Sequence, residues 1–203
     1  MQYSEPMQML VDEHEVIVAV LEALEAVAGS ADHDADFPLA FYQQAFDFFP
    51  TFADRCHHAK EEAHLFPLLE ARGVPRDSGP VGCMLAEHEQ GRQHVAAVRD
   101  ALPRAAAGDR QARETVRREA LAYADLLRQH ILKENNVLFP IGDRCLSAGD
   151  KAELLRQFHC AEHSAVPPGT HERCLALARE LRAAAGLPDP ALTDQRGWKG
   201  ATS

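Results

Sequence analysis

Apolar residues recur along most of the chain at spacings of three and four, the period of an amphipathic helix. The first apolar stripe predicts a helix from about Met7 to Ala28; it consists of Met9, Leu10, Ile17, Val20, Leu21 and Leu24. Alternating β-branched stretches are few, whereas Ala, Leu, Glu, Arg and Gln, which favour helices, dominate the chain. The pattern therefore predicts an all-α fold.

Glycine, proline and short polar segments mark the ends of further helices. Three more long helices are predicted at about residues 37–71, 81–107 and 109–145, and a loop separates the first from the second at residues 29–36. Pro50 should kink or interrupt the second helix, because proline has no backbone N–H to donate. Four long helices with short connections are typical of an up-down four-helix bundle.

The rest of the chain predicts a smaller helical addition. Ser147 begins a segment that predicts a fifth helix to about His163, and Thr170 begins a sixth that runs to about Ala185. We therefore expect a bundle over residues 1–145, two additional C-terminal helices packed on it over residues 146–185, and a flexible tail over residues 186–203.

Charge and composition exclude several classes of protein. The net charge of −10 argues against a nucleic-acid partner, which requires a basic surface. No apolar run approaches the ~18 residues of a membrane span, and the first residues lack the basic and apolar segments of a secretory signal. The five cysteines include no C-x-x-C pair, so free thiols are expected. These features predict a cytoplasmic location and no membrane partner.

A nearly repeated segment carries the strongest chemical signal. His57-His58-Ala59-Lys60-Glu61-Glu62-Ala63-His64-Leu65-Phe66-Pro67 resembles His130-Ile131-Leu132-Lys133-Glu134-Asn135-Asn136-Val137-Leu138-Phe139-Pro140. The two copies share His, Lys and Glu at the same offsets before Leu-Phe-Pro. A His and a Glu four apart project from the same side of a helix. Two such helices can offer two imidazoles and two carboxylates to one point, a donor set that suits iron or manganese.

Two single histidines extend this donor set. His14 and His88 lie in the first and third predicted helices, each between two glutamates. Each is early in its helix, whereas His57 and His130 are late in theirs, so an antiparallel bundle places all four at one level. The predicted metal ligands are therefore His14, His57, Glu61, His88, His130 and Glu134. Glu13, Glu15, Glu87 and Glu89 either orient these imidazoles or face solvent.

Several neighbouring residues admit two interpretations. His58 and Glu62 form a second pair with the same spacing, but Ile131 and Asn135 occupy the matching positions of the other copy. Either could be an extra ligand, and the sequence leaves this open. Lys60, Lys133 and Tyr123 either approach the site or only pack and face solvent. The histidines and cysteines beyond residue 158 have no metal-binding spacing, and structural roles are expected for them.

The order single His, His-x-x-x-Glu, single His, His-x-x-x-Glu over residues 7–145 resembles the hemerythrin-like, or HHE cation-binding, domain of bacterial proteins. The resemblance implies a non-haem di-iron centre with an oxo or hydroxo bridge, in which Glu61 and Glu134 bridge the irons. It assigns His14 and His57 to one iron, and His88 and His130 to the other. Manganese or zinc could substitute for iron with the same donors.

The chain departs from the oxygen-carrying hemerythrins. Those proteins have a second histidine four residues after the third-helix histidine, where this chain has Arg92, and an aspartate motif on the fourth helix, where this chain has Glu134. Fewer ligands favour reaction with dioxygen, peroxide or nitric oxide over reversible oxygen carriage. Weak catalase-like or peroxidase-like activity is one expectation. The alternatives are an iron or oxygen sensor that signals to a protein partner, an oxygen or iron carrier without turnover, and a homo-oligomeric form of any of these.

Overall fold

A computed structural model describes residues 3–30, 37–164 and 167–190. Within these ranges the chain is helical, without strands, and six continuous helices follow one another. They are α1 (Glu5–Ala28), α2 (39–71), α3 (Gly79–Ala106), α4 (110–145), α5 (Ala148–Ser164) and α6 (Thr170–Ala184). The all-α prediction is confirmed. Residues 31–36 of the loop expected at 29–36, and residues 191–203 of the tail expected at 186–203, lie outside the described residues.

The two helices that carry the repeated motif change their hydrogen-bonding pattern along their length. In α2, α-helical Leu39–Phe48 and Phe66–Ala71 flank two π-helical stretches, Phe49–His58 and Glu61–Leu65. In α4, the π-helical stretch Glu134–Leu138 separates Arg110–Lys133 from Phe139–Cys145. Pro50 does not end α2. The first π-helical stretch begins beside Pro50 instead, which accommodates the missing backbone N–H of that proline.

The Leu-Phe-Pro sequences end both copies of the motif in the same way. The backbone N–H of Phe66 donates to the carbonyl of Glu61, and that of Phe139 donates to the carbonyl of Glu134. Each bond spans five residues, as in a π-helix. The prolines that follow cannot donate the next α-helical bond, while the leucines and phenylalanines are buried. The repeat therefore encodes a π-turn that starts at each motif glutamate, together with apolar residues beneath it.

Two separate apolar clusters form the core, and buried polar residues lie between them. In α1, Leu10 belongs to one cluster and Val16 to the other, with buried Glu13 and His14 between these positions. The same order of apolar, polar and apolar positions recurs in the other three helices of the bundle. The bundle therefore contains one buried polar layer that crosses all four long helices.

The two C-terminal helices pack against the bundle. Both contact α1, and α5 also contacts the π-helical stretch Glu61–Leu65. Phe158 of α5 is fully buried in one of the apolar clusters. The buried guanidinium of Arg182 in α6 donates to the carbonyl of Ala19, at 3.2 Å, and pairs with Glu22. No helix in the described ranges is long and apolar enough to cross a membrane.

Truncation of Phe158 tests whether α5 belongs to the cooperative core. We expect Phe158→Ala to lower the free energy of unfolding by about 3–5 kcal/mol, because it leaves a cavity beneath α5. Leu132→Ala, at a side chain that is 49% exposed, should change it by about 0.5 kcal/mol or less. Urea unfolding of both variants measures the difference. Equal small effects would show that α5 contributes little to the stability of the bundle.

Candidate metal centre

The buried polar layer contains every residue that the sequence pattern proposed as a metal ligand. The six side chains are at most 2% exposed; they are His14, His57, Glu61, His88, His130 and Glu134. Their common level follows from the antiparallel helices, since α1 and α3 supply residues from early positions and α2 and α4 supply residues from late ones. Four helices thus direct imidazole and carboxylate groups into one enclosed space.

The potential ligand atoms fall into two overlapping groups within the described residues. The first group is His14, His57, Glu61 and Glu134, and the second is His58, Glu61, His88 and His130. Within each group the donor atoms lie within 4.8 Å of one another, and Glu61 belongs to both. The Nε2 atoms of His14 and His57 are 2.9 Å apart, and those of His88 and His130 are 3.1 Å apart.

Both glutamates span the two groups. Oε1 of Glu61 lies 3.7 Å from Nε2 of His57, and its Oε2 lies 3.5 Å from Nε2 of His88. Oε2 of Glu134 lies 3.1 Å from Nε2 of His14 and 3.3 Å from Nε2 of His130. Each carboxylate therefore sits between a histidine of one group and a histidine of the other. Two cations could share carboxylate ligands in this arrangement.

The buried carboxylate oxygens lack hydrogen-bond donors. Both oxygens of Glu61, both oxygens of Glu134 and both ring nitrogens of His58 are buried without a hydrogen-bond partner among the described residues. Buried polar atoms in native proteins are almost always satisfied, and leaving one unsatisfied costs about 1–3 kcal/mol. These atoms are all potential metal ligands and converge on the same space. The residues present therefore fit bound cations.

The sequence repeat argues against His58 as a ligand, because Ile131 occupies the matching position, but leaves it open as an extra ligand. Its ring stacks on that of His88, with centroids 3.8 Å apart, and its donor atom lies in the second group. Burial, and then the neighbouring His88, lower the pKa of His58 well below its usual value, so its imidazole is neutral. A histidine must be neutral to bind a metal. Glu62, the other open candidate, belongs to neither group.

A ring of outer residues orients the four histidines that face the centre. Each Nδ1 donates a hydrogen bond of 2.7–3.0 Å to a side-chain oxygen: His57 to Glu13, His130 to Glu87, His14 to Asn135 and His88 to Glu62. These bonds fix the tautomer with Nε2 directed to the centre. Glu13 and Glu87 therefore take the orienting role that the sequence left open, whereas Glu15 and Glu89 are exposed.

The two repeated lysines pair with these orienting glutamates. Lys60 pairs with Glu13, and Lys133 pairs with Glu87. Burial alone would raise the pKa of Glu13, but the charge of Lys60 and the hydrogen bond from His57 outweigh burial and lower it to about 2. The two pairs differ in exposure: the Lys60 side chain is 1% exposed and lies 5.9 Å from the ring of Phe158, whereas that of Lys133 is 40% exposed.

Charge within the centre is balanced by protons when no metal is bound. Burial alone would lower the pKa of His130, but the negative charge of Glu134 raises it to about 10. In turn, burial would raise the pKa of Glu134, but His130 and then His14 hold it well below its usual value. Protonated His130 therefore places a positive charge beside Glu134, although the Nε2 atoms of His14 and His130 are not aligned for hydrogen bonds to its oxygens. Divalent cations would take over this role and displace the protons.

Other residues considered from the sequence lie outside the two groups. Tyr123 is buried against Phe49, with ring centroids 4.8 Å apart, and forms no hydrogen bond within the described residues. His94 pairs with Glu119 at 2.8 Å on the outer side of the bundle. The guanidinium of Arg92 pairs with Asp54 and with Glu62, the carboxylate that orients His88, and is not among the potential ligand atoms.

The unequal burial of the two lysines predicts unequal effects on stability. Lys60→Met should lower the free energy of unfolding by about 3–5 kcal/mol, since it leaves the charge of Glu13 buried without its ammonium partner. Lys133→Met, at a solvated pair, should cost about 1 kcal/mol or less. Because the pKa of Glu13 is lowered, its contribution is complete above about pH 4.5 and is lost as the pH falls toward 2. Urea unfolding at pH 7 measures the free energy of unfolding of both variants. Similar losses in the two variants would contradict the unequal contributions of the two lysines.

Comparisons with known proteins agree with this arrangement. Residues 5–141 match the model of the hemerythrin HHE cation binding domain. The chain is 27% identical over 154 residues to uncharacterized proteins of Mycobacterium tuberculosis and Mycobacterium bovis; this match covers 76% of the chain and 60% of those relatives. No solved structure is significantly similar. The family match covers most of the bundle and all seven histidine and glutamate residues of the two groups. The chain therefore belongs to the hemerythrin HHE cation-binding family.

Proposed function

We propose that the centre holds two iron ions. His14 and His57 would bind one iron, His58, His88 and His130 would bind the other, and Glu61 and Glu134 would bridge them. The observation that carries this proposal is the pair of buried carboxylates without hydrogen-bond donors, each placed between histidines of both groups. Imidazole and carboxylate donors suit iron, although manganese and zinc can occupy the same donor set.

We further propose that these irons react with dioxygen, hydrogen peroxide or nitric oxide. The first iron would have two imidazoles and the second three, in addition to the shared carboxylates, which leaves positions of an octahedral iron for small molecules. A cavity lined by His58, His88 and His130 extends from the second group toward the surface. This approach gives small oxidants a path to one metal. Slow catalase-like or peroxidase-like turnover in a reducing cytoplasm, where the cysteines stay free, fits this chemistry.

An iron or oxygen sensor is a second candidate. The contact between Lys60 and Phe158 favours it, because this contact joins the outer ring of the centre to α5. A change in metal occupancy could reach α5 through Glu13 and Lys60 and so alter a surface that a protein partner recognises. The two candidates differ in turnover: a sensor binds iron without consuming peroxide, whereas a peroxide-reactive centre does consume it.

Metal content tests the site. Protein expressed with added iron should contain about two irons per chain, because each group provides a set of converging donors. His57→Ala combined with Glu61→Ala should reduce this to below about half an iron per chain, since Glu61 serves both groups. Elemental analysis of the purified proteins measures the loss.

A matched double variant controls for the loss of any histidine–glutamate pair. His94 and Glu119 contact each other at 2.8 Å, but neither belongs to the centre. His94→Ala combined with Glu119→Ala should therefore retain about two irons per chain. Equal iron content in all three proteins would remove the basis for a metal site in the polar layer.

Peroxide reactivity tests the chemistry. Iron-loaded protein that has been reduced without oxygen should change its near-ultraviolet and visible absorbance when hydrogen peroxide is added. The His57→Ala, Glu61→Ala variant should react at least about tenfold more slowly, given that loss of outer partners alone costs about 10–100-fold in such sites. Stopped-flow absorbance measures both rates. A protein with two irons that neither changes absorbance nor consumes peroxide would support the sensor instead.

A further inference from the structure

The cavity beside the second group is larger than small oxidants require. It has a volume of about 430 Å³ and lies among α2, α3 and α4. Its inner end is formed by His58, His88 and His130, and its walls extend along α3 to the exposed residues Arg99 and Asp100. A water molecule occupies about 30 Å³ of liquid, and sites for organic molecules span about 300–1,000 Å³. The volume therefore suits an organic molecule.

The walls of the cavity favour an uncharged occupant. Phe49, Val95, Leu126 and Leu127 supply apolar surface along its length. The charged groups at the inner end already have partners: Arg92 pairs with Asp54 and Glu62, and Glu87 pairs with His130 and Lys133. The outer end contributes one positive and one negative charge, those of Arg99 and Asp100. The lining therefore offers aromatic and aliphatic contacts without demanding a charge on the ligand.

Tyr123 provides a buried polar group within this apolar lining. Its side chain lines the cavity and is 3% exposed, yet its hydroxyl forms no hydrogen bond within the described residues. Gly91 of α3 lies beside the Tyr123 ring, where an added Cβ would be in ordinary van der Waals contact with Cε2 at 3.4 Å. Burial, and then the charge of Asp54, raise the pKa of the hydroxyl, so it remains a donor. The hydroxyl is not among the fully enclosed polar atoms of the described residues, so an acceptor on a molecule in the cavity could reach it.

We propose that this cavity binds a small, uncharged hydroxylated aromatic molecule, with its oxygen accepting a hydrogen bond from Tyr123. The molecule lies against the three histidines of the second group and contacts neither His14 nor His57, which do not line the cavity. The proposal deepens the proposed function and rests on it for the role of the ligand, since it places an organic molecule beside one iron only.

Equilibrium dialysis with 2-naphthol and with naphthalene tests this proposal on the iron-loaded full chain. The protein should bind 2-naphthol more tightly than naphthalene. Tyr123→Phe should weaken 2-naphthol binding about tenfold, the effect of one hydrogen bond, and leave naphthalene binding unchanged. Ala96→Trp, which places a large side chain in the outer part of the cavity, should weaken binding of both probes. Tyr42→Phe, at a buried tyrosine outside the cavity, should weaken neither.

Iron content and peroxide reactivity of the same samples separate the two proposals. Absence of 2-naphthol binding in a protein that contains iron and consumes peroxide would overturn the ligand proposal alone. Equal weakening of both probes by Tyr123→Phe, or no weakening, would also overturn it. Absence of iron in a protein whose 2-naphthol binding depends on Tyr123 would instead support the ligand site and contradict the metal proposal.

Discussion

Two buried carboxylates without hydrogen-bond donors are the constraint on which the rest of this structure depends. Glu61 and Glu134 lie in a polar layer between two apolar clusters, and no side chain in the described ranges donates a hydrogen bond to them. Isolated buried charges are too costly to persist, and positive charge must therefore come from imidazolium groups or from bound cations. The need for positive charge at one place accounts for the buried histidines. It also accounts for the outer residues that orient these histidines and for their common level in the four helices.

The centre is built as two similar halves that are not identical. In each half, one helix carries a Glu-His pair whose histidine is a potential ligand. The glutamate of that pair accepts a hydrogen bond from the histidine of the next helix and also pairs with a lysine. The halves differ because α2 has His58 where α4 has Ile131, and because α5 covers Lys60 but leaves Lys133 partly exposed. The cavity reaches the second group of ligand atoms, which His58 joins from α2, and is not lined by His14 or His57. An otherwise symmetric site thus acquires one closed side and one accessible side.

Most of the fold and six of the proposed ligands could be predicted from the sequence, since helical periodicity and the repeated His-x-x-x-Glu motif are local signals. The early positions of His14 and His88 in their helices, against the late positions of His57 and His130, also placed all four at one level. His58 could not be assigned, because comparison with Ile131 argued against it and only the three-dimensional stacking on His88 brings it into the second group. The lysine–glutamate pairs and the cavity likewise depend on contacts between helices, which single-sequence patterns do not specify. The Leu-Phe-Pro sequences end two of the π-helical stretches, and a proline predicts a local break in helical hydrogen bonding. That the break becomes a π-turn depends on how the helices pack.

Anomalous diffraction at the iron absorption edge, on crystals of iron-loaded protein, tests the central claim most directly. Two iron ions at this centre should give two peaks about 3.5–4 Å apart, the usual separation in two-metal sites. One peak should lie between His14 and His57, the other among His58, His88 and His130, with Glu61 between the two. A single peak, or peaks outside the polar layer, would contradict the assignment of a two-iron centre to these residues.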